Sequence, residues 1–303
     1  MSKVIVVGHA ALDRVYRIAE FPATPTKVRA LEHIECGGGM AANAAVAIAR
    51  LGGQVDLWSR VGSDAAGDTI LSALETEGVD IRHVRTIEGA RSSTTAIIVD
   101  GHGERLIVGE RDHAMSLDAS WLPLEEIPAA GAVLSDFNWV EAASATFIQA
   151  KADEVPTVLD ADLGAGARLN AILPLTDYAI FSGPALEAQA GSTTDKERLS
   201  AILREHPNLK HAGVTRGARG YTWLSRDGSA GYQPAFETDI VVDTTGAGDA
   251  FHGTFAWALA CGEHAAAAAR LASAAAAIKC GKLGARAGLP TLPELQQLLV
   301  DRG

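Results

Sequence analysis

Cysteine is scarce in this chain of 303 residues: Cys36, Cys261 and Cys280 are odd in number and far apart. No C-x-x-C pair occurs, so neither a disulfide framework nor a cysteine zinc site is encoded, and free thiols in a reducing compartment are expected. Basic residues are also short. Lys and Arg total 26 against 37 Asp and Glu, a net charge of −11 with no basic run, which argues against nucleic acid and anionic membranes as partners. An anionic substrate must then be held by local dipoles rather than by the overall field. No apolar run approaches the length of a membrane span, and the start "MSKVIVVGHAALD" is too short in apolar residues for a secretory signal. A cytoplasmic protein is the expectation.

What is present is a folded α/β pattern. The apolar content of 48% is enough for a sizeable core. "KVIVVG" (3–8) reads as a buried parallel strand. Residues 14–36 and 93–109 instead alternate apolar and polar, as half-exposed strands do, the second patch turning at Gly101-His102-Gly103. Together they predict a small sheet standing off the main body. "AANAAVAIARLGG" (41–53) and "DAAGDTILSALETEG" (64–78) read as helices, with "QVDLWSRVG" (54–62) a strand between them. Beyond residue 130 the strands "GAVLSDF", "PTVLDAD", "YAIFSG" and "HAGVTRG" alternate with helices, which implies a mostly parallel sheet covered on both faces. "GYTWLS" and "SAGYQPAF" predict an antiparallel edge hairpin around Asp227-Gly228, and the alanine-rich stretch 254–278 a pair of close-packed helices. Ligands of such sheets bind beyond the carboxyl ends of the strands.

One segment there carries chemistry. "DTTGAGDAF" (243–251) places a small-residue turn before a helix starting near Ala247, with acids and no base. The first N–H groups of a helix lack internal partners and carry the positive end of its dipole, so they bind anions unaided. Gly246 and Gly248 admit oxygen atoms close to that backbone. Asp249, in the first helical turn, cannot bind phosphate but can take a proton from an attacking hydroxyl, the arrangement phosphoryl transfer to an alcohol requires. A bare G-x-G would be an ordinary strand–helix turn; the full string is far more specific.

The chain resembles the PfkB (ribokinase-like) carbohydrate kinases. "DTTGAGDAF" is similar to that family's C-terminal signature and "GGGMAANAAVAIARLG" (37–52) to its N-terminal one, while "VTRGARG" (214–220) resembles its nucleotide loop and "LGARAGLP" (283–290) its closing segment. The resemblance implies one ribokinase-like three-layer α/β/α domain over 1–303, with a mostly parallel central sheet and a small β-sheet lid, at about 14–36 and 93–109, that also serves as a homodimer clasp. It implies ATP and Mg2+ as cofactors, with K+ as a monovalent activator, and a small-molecule sugar as substrate. Residue by residue, it implies Asp249 as catalytic base and Gly246, Ala247 and Gly248 as the anion hole. Asp13, Lys27, Gly38, Gly39, Asn43 and Asn138 would meet the sugar, and Thr215, Gly217, Gly220 and Gly284 the nucleotide. Asp243 and Thr245 would lie at the monovalent cation.

Two departures bear on mechanism and substrate. Where many relatives carry Asn-x-x-Glu, this chain has Ser182 and Ala185, leaving Glu187, Asp160 and Asp162 as acids that could act toward magnesium. Ala11 stands where true ribokinases have an asparagine, which disfavours ribose; the general run is similar to 6-deoxy-6-sulfofructose kinases, and a nucleoside kinase of the same fold is a further alternative. A dinucleotide oxidoreductase built on Gly37-x-Gly39-x-x-Ala42 would need that pattern directly after the first strand, where it does not lie. A non-catalytic sugar-binding relative would be expected to have lost Asp249.

Overall fold

The computed structural model describes residues 3–102, 104–238 and 240–302; Gly103 of the predicted turn lies outside the described residues. The chain opens with β1 (Lys3–Val7), β2 (Ala11–Arg17), β3 (Glu32–Gly38), α1 (Met40–Arg50), β4 (Val55–Gly62), α2 (Ala65–Thr76), β5 (Val84–Ile87), β6 (Ser93–Val99) and β7 (Arg105–Glu110). It continues through β8 (Ala130–Asp136), α3 (Val140–Ala152), β9 (Thr157–Ala161), α4 (Ala167–Ile172), β10 (Tyr178–Ser182), α5 (Gly183–Gln189), α6 (Asp195–Glu205) and β11 (His211–Thr215). The edge strands β12 (Tyr221–Ser225) and β13 (Ala230–Gln233) precede α7 (Ala247–Ala260), α8 (Ala265–Lys279) and α9 (Leu292–Asp301).

Nine strands form one sheet in the order β13-β12-β11-β10-β9-β8-β1-β4-β5, parallel throughout except for β12, which runs antiparallel to both β11 and β13. β1 shows why it has three layers. Val4 and Val6 enter a core shared with α1, α2, α7 and α8, while Ile5 and Val7 face a second core shared with α3, α4, α5 and α6. A strand buried on both faces must be apolar at every position, and "VIVV" is. The alanines of α7 and α8 let those two helices pack closely, as their composition predicted.

Four strands, β3-β2-β6-β7, form the separate small sheet. Its pairing Leu12↔Gly37 and Leu12↔Thr94 joins the two alternating patches across more than fifty residues of chain. The short edge strand β5 went unread in the sequence, because its "VRTI" has too little apolar content to announce itself. Among the described residues no helix is long and apolar enough to cross a membrane.

The topology fixes where a ligand can sit. From β1 the chain runs outward to β4 and β5, then returns to lay β8 on the other side of β1. The crevice beyond the carboxyl ends of β1 and β8 is therefore the switch point of the sheet. The small sheet leaves the body at this end, since β2 follows β1 after three residues.

Candidate active site

α7 begins at Ala247 with Gly246 as its N-cap, in the left-handed conformation (φ 79°). A Cβ at Gly246 would lie 2.7 Å from the Ala285 carbonyl oxygen, so both backbone and space demand glycine there. The Ala247 N–H is turned to the Thr244 carbonyl at 3.2 Å. Among the described residues the Gly246, Gly248 and Asp249 N–H groups have no acceptor, so the open donors bracket Ala247 rather than include it. Nothing lies within 4 Å of a Cβ built on Gly248, which faces open space. The Gly248 carbonyl is met by His252 Nδ1 at 2.7 Å, and His252 Nε2 lies 3.2 Å from the Ile180 carbonyl, tying the first turn of α7 to β10.

Asp249 sits where this turn meets α1. Asn43 Nδ2 donates to Asp249 Oδ2 at 2.7 Å. Asn43 Oδ1 in turn accepts from Arg286 Nε at 2.8 Å, and Arg286 Nη2 donates to the Gly38 carbonyl at 3.1 Å. Asn43 is thus engaged at both ends of its amide and orients the Asp249 carboxylate. Burial pushes Asp249 up to about 7; the Asn43 hydrogen bond opposes the rise, and the negative fields of Asp162, Asp13 and Asp136 add to it.

The other acids crowd the same crevice. Asp13, 5% exposed on β2, has its carboxylate over Gly38, where a Cβ would fall 2.2 Å from Asp13 Cγ. Burial raises its pKa to about 6, against a hydrogen bond from Thr95 and the charge of Arg286. Asp160, at the end of β9, is held well above the ordinary carboxylate range by burial, then by Asp249, Asp162 and Asp136. Asp136 spends its carboxylate on backbone N–H groups, accepting from His9 at 2.8 Å, Ala41 at 3.2 Å and Asn138 at 2.7 Å. It ties β8 to the start of α1 at the switch point.

Arg286 escaped the sequence reading because it stands alone among glycines and alanines in the closing segment. Its guanidinium is 5% exposed, and Gly37 is required because a Cβ there would fall 1.9 Å from Arg286 Nη1. The first glycines of "GGGM" therefore seat an arginine and an aspartate. They belong to β3 of the small sheet, not to a strand of the main sheet, so they form no dinucleotide turn.

A cleft of about 430 Å³ opens on the other side of Gly248. Thr215, Gly217 and Gly220 line it together with Ala247, Gly248 and Phe251, which joins the "VTRGARG" loop to the start of α7. Its walls, from Phe236 to Ala276 and Ala277, are largely apolar. Gly284 is not among the lining residues. Its N–H donates to Asp243 Oδ2 at 2.8 Å, so it fixes the 243–248 loop instead.

Asp243 accepts at each of its oxygens. Oδ1 accepts from the Thr245 N–H at 2.8 Å and from Thr245 Oγ1 at 2.7 Å, and its main-chain carbonyl accepts from Lys279 Nζ at 2.7 Å. Oδ1 thus carries two donors, whereas among the described residues Oδ2 accepts only from the Gly284 N–H. Lys279 already brings an ammonium beside Asp243, where the resemblance puts a monovalent cation. The base absent from the motif is supplied from elsewhere: Arg105 of β7 donates to Thr245 Oγ1 at 3.3 Å.

The remaining predicted residues are more dispersed. Lys27 is exposed between β2 and β3, with no partner among the described residues. Asn138 lies just after β8, its Nδ2 on the Met40 sulfur at 3.3 Å and its buried Oδ1 without a partner among the described residues. Gly39 caps α1 at φ 88°. Ser182 caps α5, accepting from the Ala185 N–H at 3.3 Å, and Glu187 pairs with Arg216 at 2.6 Å. Three arginines gather near Asn138. Arg60 stacks on Trp139 at 3.8 Å and Arg168 on Phe137 at 4.9 Å. Arg111, directly after β7, has no ion pair among the described residues and lies in the electrostatic reach of Arg168 and Arg60.

Comparison with known proteins agrees with this geometry. The model of the pfkB family carbohydrate kinases matches residues 1–292. The chain is 29% identical to a ribokinase of Bacillus subtilis over 99% of its length and 100% of the relative's. It is 32% identical to the bifunctional protein HldE of Pseudomonas aeruginosa PAO1, matching over 98% of this chain but only 63% of HldE. Among solved structures, a putative ribokinase from Agrobacterium tumefaciens superposes with TM-score 0.94 at 37% identity, covering 99% of this chain and 98% of that one. The Arabidopsis thaliana ribokinase complexed with ribose and ATP gives TM-score 0.84 at 25% identity over 98% of each chain. The chain belongs to the pfkB family of carbohydrate kinases and has the ribokinase-like fold.

Proposed function

We propose that the protein transfers the γ-phosphoryl group of ATP to a hydroxyl of a small sugar, with Asp249 as the base. The observation that carries this reading is the position of Asp249. It is the first acid of α7, flanked by the open N–H groups of Gly246 and Gly248, and it touches the sugar side through Asn43. The nucleotide would lie in the cleft lined by Thr215, Gly217 and Gly220, its γ-phosphoryl group against the start of α7. The acceptor hydroxyl would be held by Asp13 and the Gly38-Gly39 backbone, within reach of Asp249. Asp249 accepts the hydroxyl proton as the new O–P bond forms and the bond from the γ-phosphorus to the departing ADP oxygen breaks, and the helix N-terminus stabilises the charge on the transferred group.

Asp160 and Asp162 are the oxygen donors that suit Mg2+, since a divalent cation would offset the burial and the neighbouring acids that raise the Asp160 pKa. Bound there, magnesium would neutralise charge on the β- and γ-phosphates. The small sheet would act as the lid. Leu106, Ile107 and Val108 on its edge strand are 49%, 55% and 58% exposed, an apolar strip suited to a second copy of the chain. Sedimentation of the wild type as a monomer at micromolar concentration would exclude that dimer.

ADP release across ketoses, aldoses, nucleosides and their anionic derivatives tests the assignment, and no release above background from any of them refutes it. Arg60, Arg111 and Arg168 favour one class within that panel, a sugar with a phosphate, sulfonate or carboxylate away from the reacting hydroxyl. 6-Deoxy-6-sulfofructose belongs to that class. A neutral sugar turned over as efficiently as its anionic counterparts, with Arg111→Ala unchanged, would remove this preference.

A further inference from the structure

Lys279 is the last residue of α8 and is fully buried. A lysine in that setting is unusual, because removing an ammonium from water costs several kcal/mol unless oxygens replace the hydration shell. Here the acceptor is the Asp243 carbonyl at 2.7 Å, one residue before the anion-binding turn starts. The carbonyl end of α8 adds the negative pole of a helix dipole to the lysine's surroundings. Gly288 closes over the lysine backbone, where a Cβ would lie 2.2 Å from the Lys279 carbonyl oxygen. The rest of Asp243 is pinned to the same surroundings. Its N–H donates to the Cys280 carbonyl at 3.2 Å, and its carboxylate accepts from Gly284 N–H at 2.8 Å. Three segments thus meet around one ammonium: the approach to the 243–248 loop, the end of α8 and the closing segment.

We propose that Lys279 is a built-in cation that positions this loop, so that the anion hole of α7 is assembled without potassium. The ammonium, held on the Asp243 carbonyl, occupies by covalent attachment the role a free monovalent cation would play beside Asp243. Lys279 touches neither reacting group, so it acts as a positioning residue through Asp243 and the turn that follows. Its effect on turnover rests on the kinase reading, while its effect on the loop does not.

The test compares potassium chloride with tetramethylammonium chloride at equal ionic strength. Wild-type turnover and melting temperature should be the same in both salts. Lys279→Ala should lose kcat in the tetramethylammonium buffer on the order of ten- to a hundredfold, the loss a small misplacement of a reacting site brings. Potassium or methylammonium should restore much of that loss and raise the variant's melting temperature. Lys279→Met fills the same space with an apolar stem and should respond to neither ion. A wild type specifically activated or stabilised by potassium overturns the proposal, whether or not the variants fold. So does a Lys279→Ala protein with unimpaired kcat, or one impaired but indifferent to every small cation. Should no sugar be phosphorylated at all, the kinase reading fails, and the melting temperatures still decide the role of Lys279.

Discussion

Asp249→Asn separates the chemistry of the site from its cost to the fold. The carboxyl holds its proton up to about pH 7 in the folded chain, against an ordinary value of 3.8. The folded state therefore binds this proton more tightly than the unfolded one. Stability falls as pH rises between these two values, and the loss is complete above about 7. The ceiling of that loss is about 4 kcal/mol. Solvent reaches part of the side chain, so a contribution of roughly 1–2 kcal/mol is the working expectation. Asparagine keeps the shape and can still accept from Asn43 Nδ2 through its own Oδ1, while carrying no charge. In a chain of this size each kcal/mol moves the melting temperature by roughly 2 °C. Asp249→Asn should thus melt a few degrees above the wild type at pH 8, with the gap narrowing steadily toward pH 5. In the same protein, turnover should be abolished while nucleotide still binds. Differential scanning calorimetry across pH, with ADP release and nucleotide titration, reads all three. A variant that melts lower than wild type at every pH would refute the electrostatic account, and one that turns over normally would refute the base.

Other substitutions probe the site from different sides. Gly248→Ala adds a methyl group to open space in the first turn of α7, so it should leave stability equal or raised by up to about 1 kcal/mol; it should nonetheless lower kcat on the order of a hundredfold by intruding on the anion hole. Gly246→Ala should lower the melting temperature instead, because φ is 79° and the Ala285 carbonyl blocks the space. Arg286→Met removes a cation that holds down the Asp13 pKa and frees the amide that orients Asp249. The acid limb of the pH–rate profile should move to higher pH, with Arg286→Lys closer to wild type; an unmoved limb would cut Arg286 out of the site. Asp13→Asn should raise KM for the sugar by roughly tenfold or more with little change for ATP, and an equal effect on both substrates would argue against a sugar contact.

The sequence by itself determined the elements whose signals are local. The "DTTGAGDAF" turn, the start of α7 at Ala247 and the two-faced burial of β1 follow from glycine positions and apolar spacing, which neighbouring residues impose on one another. The paired alternating patches likewise announced the small sheet, since a period of two needs no tertiary knowledge. Tertiary structure alone decided which polar groups meet. Arg286 and Asn43 are separated by 243 residues, and Asn43 and Asp249 by 206, so no spacing rule could join them. The same holds for Arg105 on Thr245 and for the convergence of Arg60, Arg111 and Arg168 near Asn138. Lys279 shows the difference most plainly. In the sequence it is the polar end of an alanine-rich helix, expected at the surface like most lysines. Only the packing of α8 against the approach to α7 encloses it, and burial turns an ordinary C-terminal lysine into a side chain held on the Asp243 carbonyl beneath the 243–248 loop.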